Sequence, residues 1–394
     1  MLFQVLDDKP QKFVIYANNR LYKNEIPESI SKTYKYPQIF KLRNDDNIEY
    51  LENWAEGKTL DELCPDSLRE DWNRVNGRIK AFYKSAEEVN LDISKYMLTE
   101  LVPERILLEF GELSNKICDH SFKCLTRPEH LDIINLTSKF ITDIKNQQLK
   151  LNFNKDICNE DKYKDIVESL KKKDNRIEYN QFGTLTRRLT VKNNSFPVLN
   201  LHKPLREILE PHNDYFLELD MNGFDLRTFL GLMNEEQPLE DIHDWNIKNV
   251  LKGAPDRSEA KRKFFSWFYN PEVQDPDLEK VYNRSQLSKK YFFGNHIKTP
   301  YGDICEATSF NWLSHLIQRT NSNIFSQQVY KLWKILLDKD TKIVVLMHDS
   351  VLLDVSSQDR LDINQLKQDF GDTRFGDFRV TVKKGLNWGH MNNV

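Results

Sequence analysis

Lys342-Ile-Val-Val-Leu-Met347-His348-Asp349-Ser350-Val-Leu-Leu-Asp-Val355 reads as two apolar strands closed by a tight turn, with an acidic residue at its tip. Short runs of β-branched and leucine side chains bounded by turn-forming residues favour strand over helix. A second run of this kind, Tyr215-Phe-Leu-Glu-Leu219, ends on Asp220. Carboxylates at the ends of buried strands are costly: two of them about 4 Å apart repel by roughly 4 kcal/mol at an effective dielectric of 20. A divalent cation removes that cost. Hard oxygen ligands select Mg²⁺ or Mn²⁺, and a pair of such ions is the clamp of in-line phosphoryl transfer. Each aspartate alone also reads as an ordinary turn or strand-end residue, and the sequence alone does not bring the two together.

Between them lies a more specific pattern. Arg257, Lys261, Phe265 and Tyr269 recur every four residues. Twelve helical residues turn through about 1,200°, so the four drift by only about 120° and share a face. Pro255, then Asp256 with Glu259 three residues on, marks the helix start. Two cations near a helix N-terminus suit a triphosphate, and two aromatics beyond them suit a sugar and base. A half-buried amphipathic helix with solvated cations fits the same spacing.

The remaining chain sets the context. With 394 residues, 39% hydrophobic and 30% charged, it is a folded globular sequence with room for two or three domains. Its longest apolar stretches are too short to span a bilayer, and no signal-peptide pattern opens it, so a cytoplasmic location without membrane contact is expected. Five scattered cysteines without a Cys-x-x-Cys pair read as reduced thiols. The net charge of −3 hides basic runs at 171–176, 187–192 and 257–263, each of which alone reads as a solvated helix face. Glycine, at 13 residues, is too scarce for a glycine-rich nucleotide loop. Residues 1 to about 50 predict one or two hairpins, 51–180 a helical arm with an exposed lysine-rich tip at 155–176. Helix is expected over 224–340, broken near 271–276 and 300–302, and another strand from Phe378 onward.

In order along the chain these segments resemble family A DNA polymerases, the bacterial DNA polymerase I type. Asp220-Met-Asn-Gly-Phe-Asp225-Leu-Arg227 is similar to the family's Asp-Tyr-Ser-Gln-Ile-Glu-Leu-Arg. Arg257, Lys261, Phe265 and Tyr269 match its fingers helix, and Met347-His348-Asp349-Ser350 resembles its Val-His-Asp-Glu. Asp241-Ile-His243, Thr186-Arg-Arg188-Leu189 with Pro197-Val-Leu-Asn200, Ile317-Gln318 and Gly385-Leu-Asn-Trp388 resemble the family's Asp-Ile-His, Thr-Gly-Arg-Leu with Pro-Asn-Leu-Gln-Asn, Ile-Gln-Gly and Gly-x-Asn-Trp segments. The match is dense over 180–394 and weak before it.

The resemblance implies an α+β right-hand fold. Residues 1–100 would be a small N-terminal region, 101–180 the thumb, 181–235 and 326–394 the palm with an antiparallel sheet, and 236–325 the fingers. It implies primer extension with dNTPs on a DNA template. Asp220, Asp349 and the Met221 carbonyl would hold two Mg²⁺ ions, with Mn²⁺ as a substitute. Arg257, Lys261 and His243 would grip the triphosphate, Lys261 also donating a proton to pyrophosphate. Phe265 would pack on the sugar, Tyr269 beside the templating base, and Asp225 would exclude a ribose 2′-hydroxyl. Arg188, Arg206, Gln318 and His348 would contact DNA. Four departures stand out: Asp225 for glutamate, Ser350 for glutamate, leaving the site without a third carboxylate, and Asn270 and Arg319 for glycines. No Asp-x-Glu pair of a proofreading domain occurs in 1–180, so the expected enzyme lacks a 3′–5′ exonuclease, as in short phage replication polymerases. Its partners beyond primer-template and dNTPs would be drawn from a separate exonuclease, a helicase, a single-strand binding protein or a processivity factor. Two rivals are a single-subunit RNA polymerase relative, which would lack the acidic gate at 225 and need a promoter-binding domain, and a non-catalytic replication scaffold, which has no use for Asp220, Asp349, Arg257 and Lys261.

Overall fold

The structure, a computed structural model, describes residues 1–9, 12–41, 47–91, 95–251 and 256–394. Pro255 of the expected helix start lies outside the described residues. The chain divides into two compact units, Met1–Asp143 and Ile144–Val394.

In the first unit, Phe3–Asp8, Phe13–Ala17 and Arg20–Lys23 form an antiparallel meander. Its second turn is Asn18-Asn19, both at positive φ (48° and 56°), the geometry that matches the twist of a two-residue hairpin and that asparagine tolerates. Helix Glu104–Cys124 lies on this sheet, and Gly111 leaves the space that the Tyr16 ring occupies. Helix Asp66–Glu88 packs against it through Trp72, Val75, Leu113 and Ile117.

The second unit is built on a five-stranded antiparallel sheet in the order Lys342–Leu346, Ser350–Val355, Tyr215–Met221, Val380–Gly385, Asn392–Asn393. The hairpin and the Asp220 strand read from sequence are thus neighbours, and the strand from 380 onward closes the other flank. Period-two alternation separates the faces of the central strand. Leu217, Leu219 and Met221 share a face with Val380 and Val382, onto which helix Ile363–Gly371 packs. Glu218 and Asp220 point to the other face with Ser350, Thr381 and Lys383.

Between the Asp220 strand and the hairpin lie the helices Phe224–Met233, Ile242–Asn249, Arg257–Tyr269, Pro276–Val281, Arg284–Tyr291 and Trp312–Ile335. Their shared core includes Phe229, Phe264, Trp267, Tyr282 and Leu316. The expected helical stretch is interrupted by more than a break: His296–Lys298 and Ile304–Glu306 pair as a short hairpin. Its loop carries Pro300 and Gly302, the latter at φ 79°, a combination no helix accommodates. The stretch 155–176 is also not a free tip, because Cys158, Tyr163, Val167 and Leu170 are buried in it.

Candidate active site

Asp220 stands opposite Ser350 at the end of the central strand, and the Met221 amide donates to the Asp349 carbonyl at 2.9 Å. The strand end and the hairpin turn are therefore stitched together, which carries both aspartates to one end of the sheet. The turn is pinned from outside by Tyr179, whose hydroxyl donates to the Leu346 carbonyl and accepts from its amide, both at 2.8 Å. Burial, then the negative charges of Asp349 and Glu218, push the Asp220 carboxyl up to about 6 against the pull of Lys383 and Lys261. Burial and then Asp225 raise Asp349, with Arg188 opposing. Both groups are thus held at a charge density that favours a cation.

The absence of a third carboxylate, expected from Ser350, needs qualifying. Glu218, two residues before Asp220 on the same face, is 7% exposed and adds to the field on both aspartates. Its oxygens are already engaged, accepting from Trp388 Nε1 at 3.2 Å and Lys383 Nζ at 3.3 Å. Among the described residues no three His, Cys, Asp or Glu side chains gather as a ready metal cage. Glu218 therefore contributes charge to the two aspartates while its own oxygens are occupied. Arg206 lies over the Trp388 ring, 4.1 Å from its centroid, within the field of Glu218 and Asp349.

Asp256 caps helix Arg257–Tyr269 by accepting from the Glu259 amide at 2.9 Å. Ala260, Phe264, Trp267 and Phe268 face the core, so the Arg257–Lys261–Phe265–Tyr269 row is the outward face. Phe265 and Tyr269 stack at 5.7 Å with planes 14° apart, and Lys261 Nζ lies 5.8 Å from the Phe265 centroid. Lys261 is also close enough to Asp220 to lower its pKa, so this face looks toward the carboxylates.

Asp241 organises the adjoining corner. It caps helix Ile242–Asn249 by accepting from the amides of His243 (2.9 Å) and Asp244 (3.3 Å). Burial pushes its carboxyl up, but hydrogen bonds from Arg257 (2.9 Å) and Asn222 (2.7 Å) outweigh that and hold it well below the usual carboxylate range. Arg227, fully buried, donates to the carbonyls of Asn222, Pro238 and Glu240 and fixes the loop leading to this cap. Gly223, at φ 59°, has no Cβ where Ile242 packs, so the Asp220 strand can turn directly beneath His243. His243 is 4% exposed; burial and then Arg257 lower its pKa to about 4, so it is neutral at pH 7. Its buried Nδ1 finds no hydrogen-bond partner among the described residues.

The opposite wall centres on Asp225. It accepts from the Tyr269 hydroxyl at 2.9 Å and Asn321 Nδ2 at 2.7 Å, with Arg188 at 3.7 Å. Burial, then Asp225, raises the Tyr269 hydroxyl far above its ordinary value, with Arg188 and Gln318 opposing. His348 is shifted down by burial and then by Arg188, while Asp225 pulls it up. The structure therefore gathers Arg188, Gln318, His348, Asp225 and Tyr269 beside Asp349, and Lys261, Arg257, His243 and Phe265 on the side of Asp220.

The parts played by three further members of this arrangement, Glu218 and Asn321 outside any motif and Asp241 within the Asp-Ile-His segment, escape a motif reading. Glu218 is signalled only by its two-residue spacing from Asp220 on a strand, Asn321 only by lying three helical residues after Gln318, and Asp241 by its place just before a helix.

No protein-family model matches the chain, and no curated protein matches it by sequence. Among solved structures it is similar to the POL domain of Pol1 from M. smegmatis, determined in complex with DNA primer-template and dNTP. The match covers 98% of this chain and 95% of that chain, with a TM-score of 0.63 and 11% sequence identity. At that identity the similarity is one of architecture: the chain has the α+β fold of a DNA polymerase POL domain.

Proposed function

We propose that the chain is a DNA-directed DNA polymerase of the family A type that extends a primer 3′ end with dNTPs. One observation carries the proposal: two carboxylates at one end of the sheet, Asp220 repelled by Asp349, face a capped helix whose outward row offers Arg257, Lys261 and two stacked aromatics. On one side of this row a buried, neutral imidazole has a nitrogen without a partner among the described residues. Carboxylates facing cations and aromatics match the needs of a metal-triphosphate and a sugar-base unit together.

The half-exposed carboxylate pair fits hard divalent cations, and two Mg²⁺ ions held by Asp220, Asp349 and the Met221 carbonyl, with Mn²⁺ as substitute, would activate the 3′-hydroxyl and neutralise departing pyrophosphate. Lys261, near enough to Asp220 to lower its pKa, binds the phosphates and returns a proton to the leaving group. Arg257 starts from its ion pair with Asp241 and exchanges that carboxylate for phosphate as the helix closes. His243, whose Nδ1 has no partner among the described residues, offers it to the same anion. Tyr269 donates to Asp225 in the absence of substrate, so seating a nucleotide between Phe265 and Asp225 means breaking or reshaping that bond. Asp225, shorter than glutamate by a methylene, acts as the 2′-hydroxyl gate. Arg188, Arg206, His348 and Gln318 serve the primer-template side.

The expected right-hand subdivision belongs to the same proposal: thumb 101–180, palm 181–235 and 326–394, fingers 236–325. So do a role in phage replication and proofreading by a separate polypeptide.

The test is primer extension with Mg²⁺, comparing dNTPs with rNTPs and wild type with Asp349→Asn. Extension by dNTPs that disappears in the variant supports the assignment. Preferential use of rNTPs points to an RNA polymerase relative, and inert, well-folded wild type points to a scaffold.

A further inference from the structure

Two arginines with no place in the mechanism converge on one buried aspartate. Asp303, in the loop of the short hairpin after Lys298, is fully buried. Arg319 Nη2 sits 2.6 Å from its Oδ1, and Arg187 Nε lies 3.6 Å from its Oδ2. Both arginine side chains are under 10% exposed. Burying three ionised groups is expensive, and a well-packed apolar trio of similar size would be at least as stable. The backbone adds strain, since Arg187 holds φ 57°, a left-handed conformation that glycine adopts freely and arginine does not. Arg187 and Arg319 stand where the resembled Thr-Gly-Arg-Leu and Ile-Gln-Gly segments have glycine. Two positions that are glycine in the resembled segments thus carry the two arms of a single ion cluster in this chain.

The cluster joins elements that bear directly on the gate. Arg319 also donates to the Leu185 carbonyl, Cys305 Sγ contacts the same oxygen at 3.4 Å, and Ser322 Oγ donates to the Thr186 carbonyl at 3.0 Å. Residues 185–187 are thus docked on the helix Trp312–Ile335. The next residue along the loop is Arg188, 3.7 Å from Asp225. One residue before Arg319 is Gln318, beside Tyr269, and two after it is Asn321, which donates to Asp225 at 2.7 Å.

We infer that Arg187, Asp303 and Arg319 form a positioning brace that sets the separation between the Arg188 loop and the Gln318–Asn321 helix, and so the shape of the Asp225–Tyr269 nucleotide gate. The inference rests on the polymerase assignment and extends it to three residues outside the substrate and metal contacts that assignment proposes. Loosening such a support by an ångström lowers catalytic efficiency by roughly ten- to a hundredfold.

The decisive variant is Arg187→Gly, which relaxes the strained backbone while removing one arm; Asp303→Asn and the double variant complete a cycle. Steady-state insertion is measured at a temperature where thermal melts show every protein folded. The brace predicts that Arg187→Gly raises the dNTP KM at least tenfold with a smaller change in kcat and lowers the dNTP/rNTP efficiency ratio. It predicts that the double variant is no worse than the poorer single one, because a unit is lost once, and that Arg187→Lys recovers most of the KM. A purely structural cluster would lower the melting temperature and leave KM and the ratio unmoved, which would overturn the brace while wild-type extension kept the polymerase assignment intact. An Arg187→Gly enzyme kinetically identical to wild type would overturn it equally. Wild type that extends no primer would overturn both.

Discussion

Asp220→Asn should stabilise the metal-free protein while abolishing its activity. In the folded state Asp220 is pushed from an ordinary 3.8 to about 6 by burial, Asp349 and Glu218. A shift of about two pH units corresponds to roughly 3 kcal/mol of unfavourable interaction in the ionised form. Because the carboxylate is partly open to solvent, screening reduces the usable figure to roughly 1–3 kcal/mol. Asparagine has nearly the same shape and no charge, so it removes the repulsion without opening a cavity.

The pH dependence follows from linkage. A carboxyl whose folded pKa is raised binds more protons folded than unfolded between 3.8 and about 6, so its destabilising effect is absent below that window and complete above it. The gain from Asp220→Asn should grow between pH 5 and pH 7 and then level off. Thermal melts in chelator would read it as a rise of about 2–12 °C at pH 7.5, at about 2–4 °C per kcal/mol for a unit of this size. Adding Mg²⁺ should invert the order, since a ligand at a hundredfold its Kd stabilises wild type by about 2.7 kcal/mol and the variant has lost half the carboxylate pair. A variant that melts at or below wild type in chelator at pH 7.5 would refute the claim that Asp220 sits in uncompensated repulsion. An advantage that shrinks with rising pH would refute its attribution to this carboxyl.

Tyr269→Phe removes the hydroxyl that donates to Asp225 at 2.9 Å; a charge-assisted bond at this half-exposed site is worth about 1 kcal/mol, so the dNTP/rNTP efficiency ratio should change by roughly fivefold, whereas Asp225→Glu should sharpen discrimination, and unchanged ratios in both would remove Asp225 as the gate. His243→Gln should raise the dNTP KM; it should also soften the acid destabilisation of the wild type, because a histidine whose folded pKa is lowered from 6.5 to about 4 withdraws stability as pH falls through that window, and a pH–melting profile identical to wild type would refute its neutral burial.

Much of this protein is written in short-range pattern. The apolar run before Asp220 and the two around Asp349 become strands because their side chains suit a pleated, buried surface. The Arg257–Tyr269 row lies on one helix face because its four-residue spacing nearly matches a helical turn, and Asp256 starts that helix through its own side chain. The break at Pro300–Gly302 is legible as a break. That it is a hairpin which buries Asp303 is not, since the pairing depends on what the loop packs against.

Tertiary structure alone decided which charges meet. Arg257 is presented to the site yet paired with Asp241, Asp225 is held by Tyr269 and Asn321, and Glu218 is engaged by Trp388 and Lys383. Arg187 and Arg319, 132 positions apart in the sequence, share one aspartate. Periodicity specifies the direction of a side chain from its own element, which nearby residues suffice to encode. The field and hydrogen-bond partners that a carboxylate or guanidinium meets depend on which faces are brought together, and their effect falls off with distance in space whatever the separation along the chain.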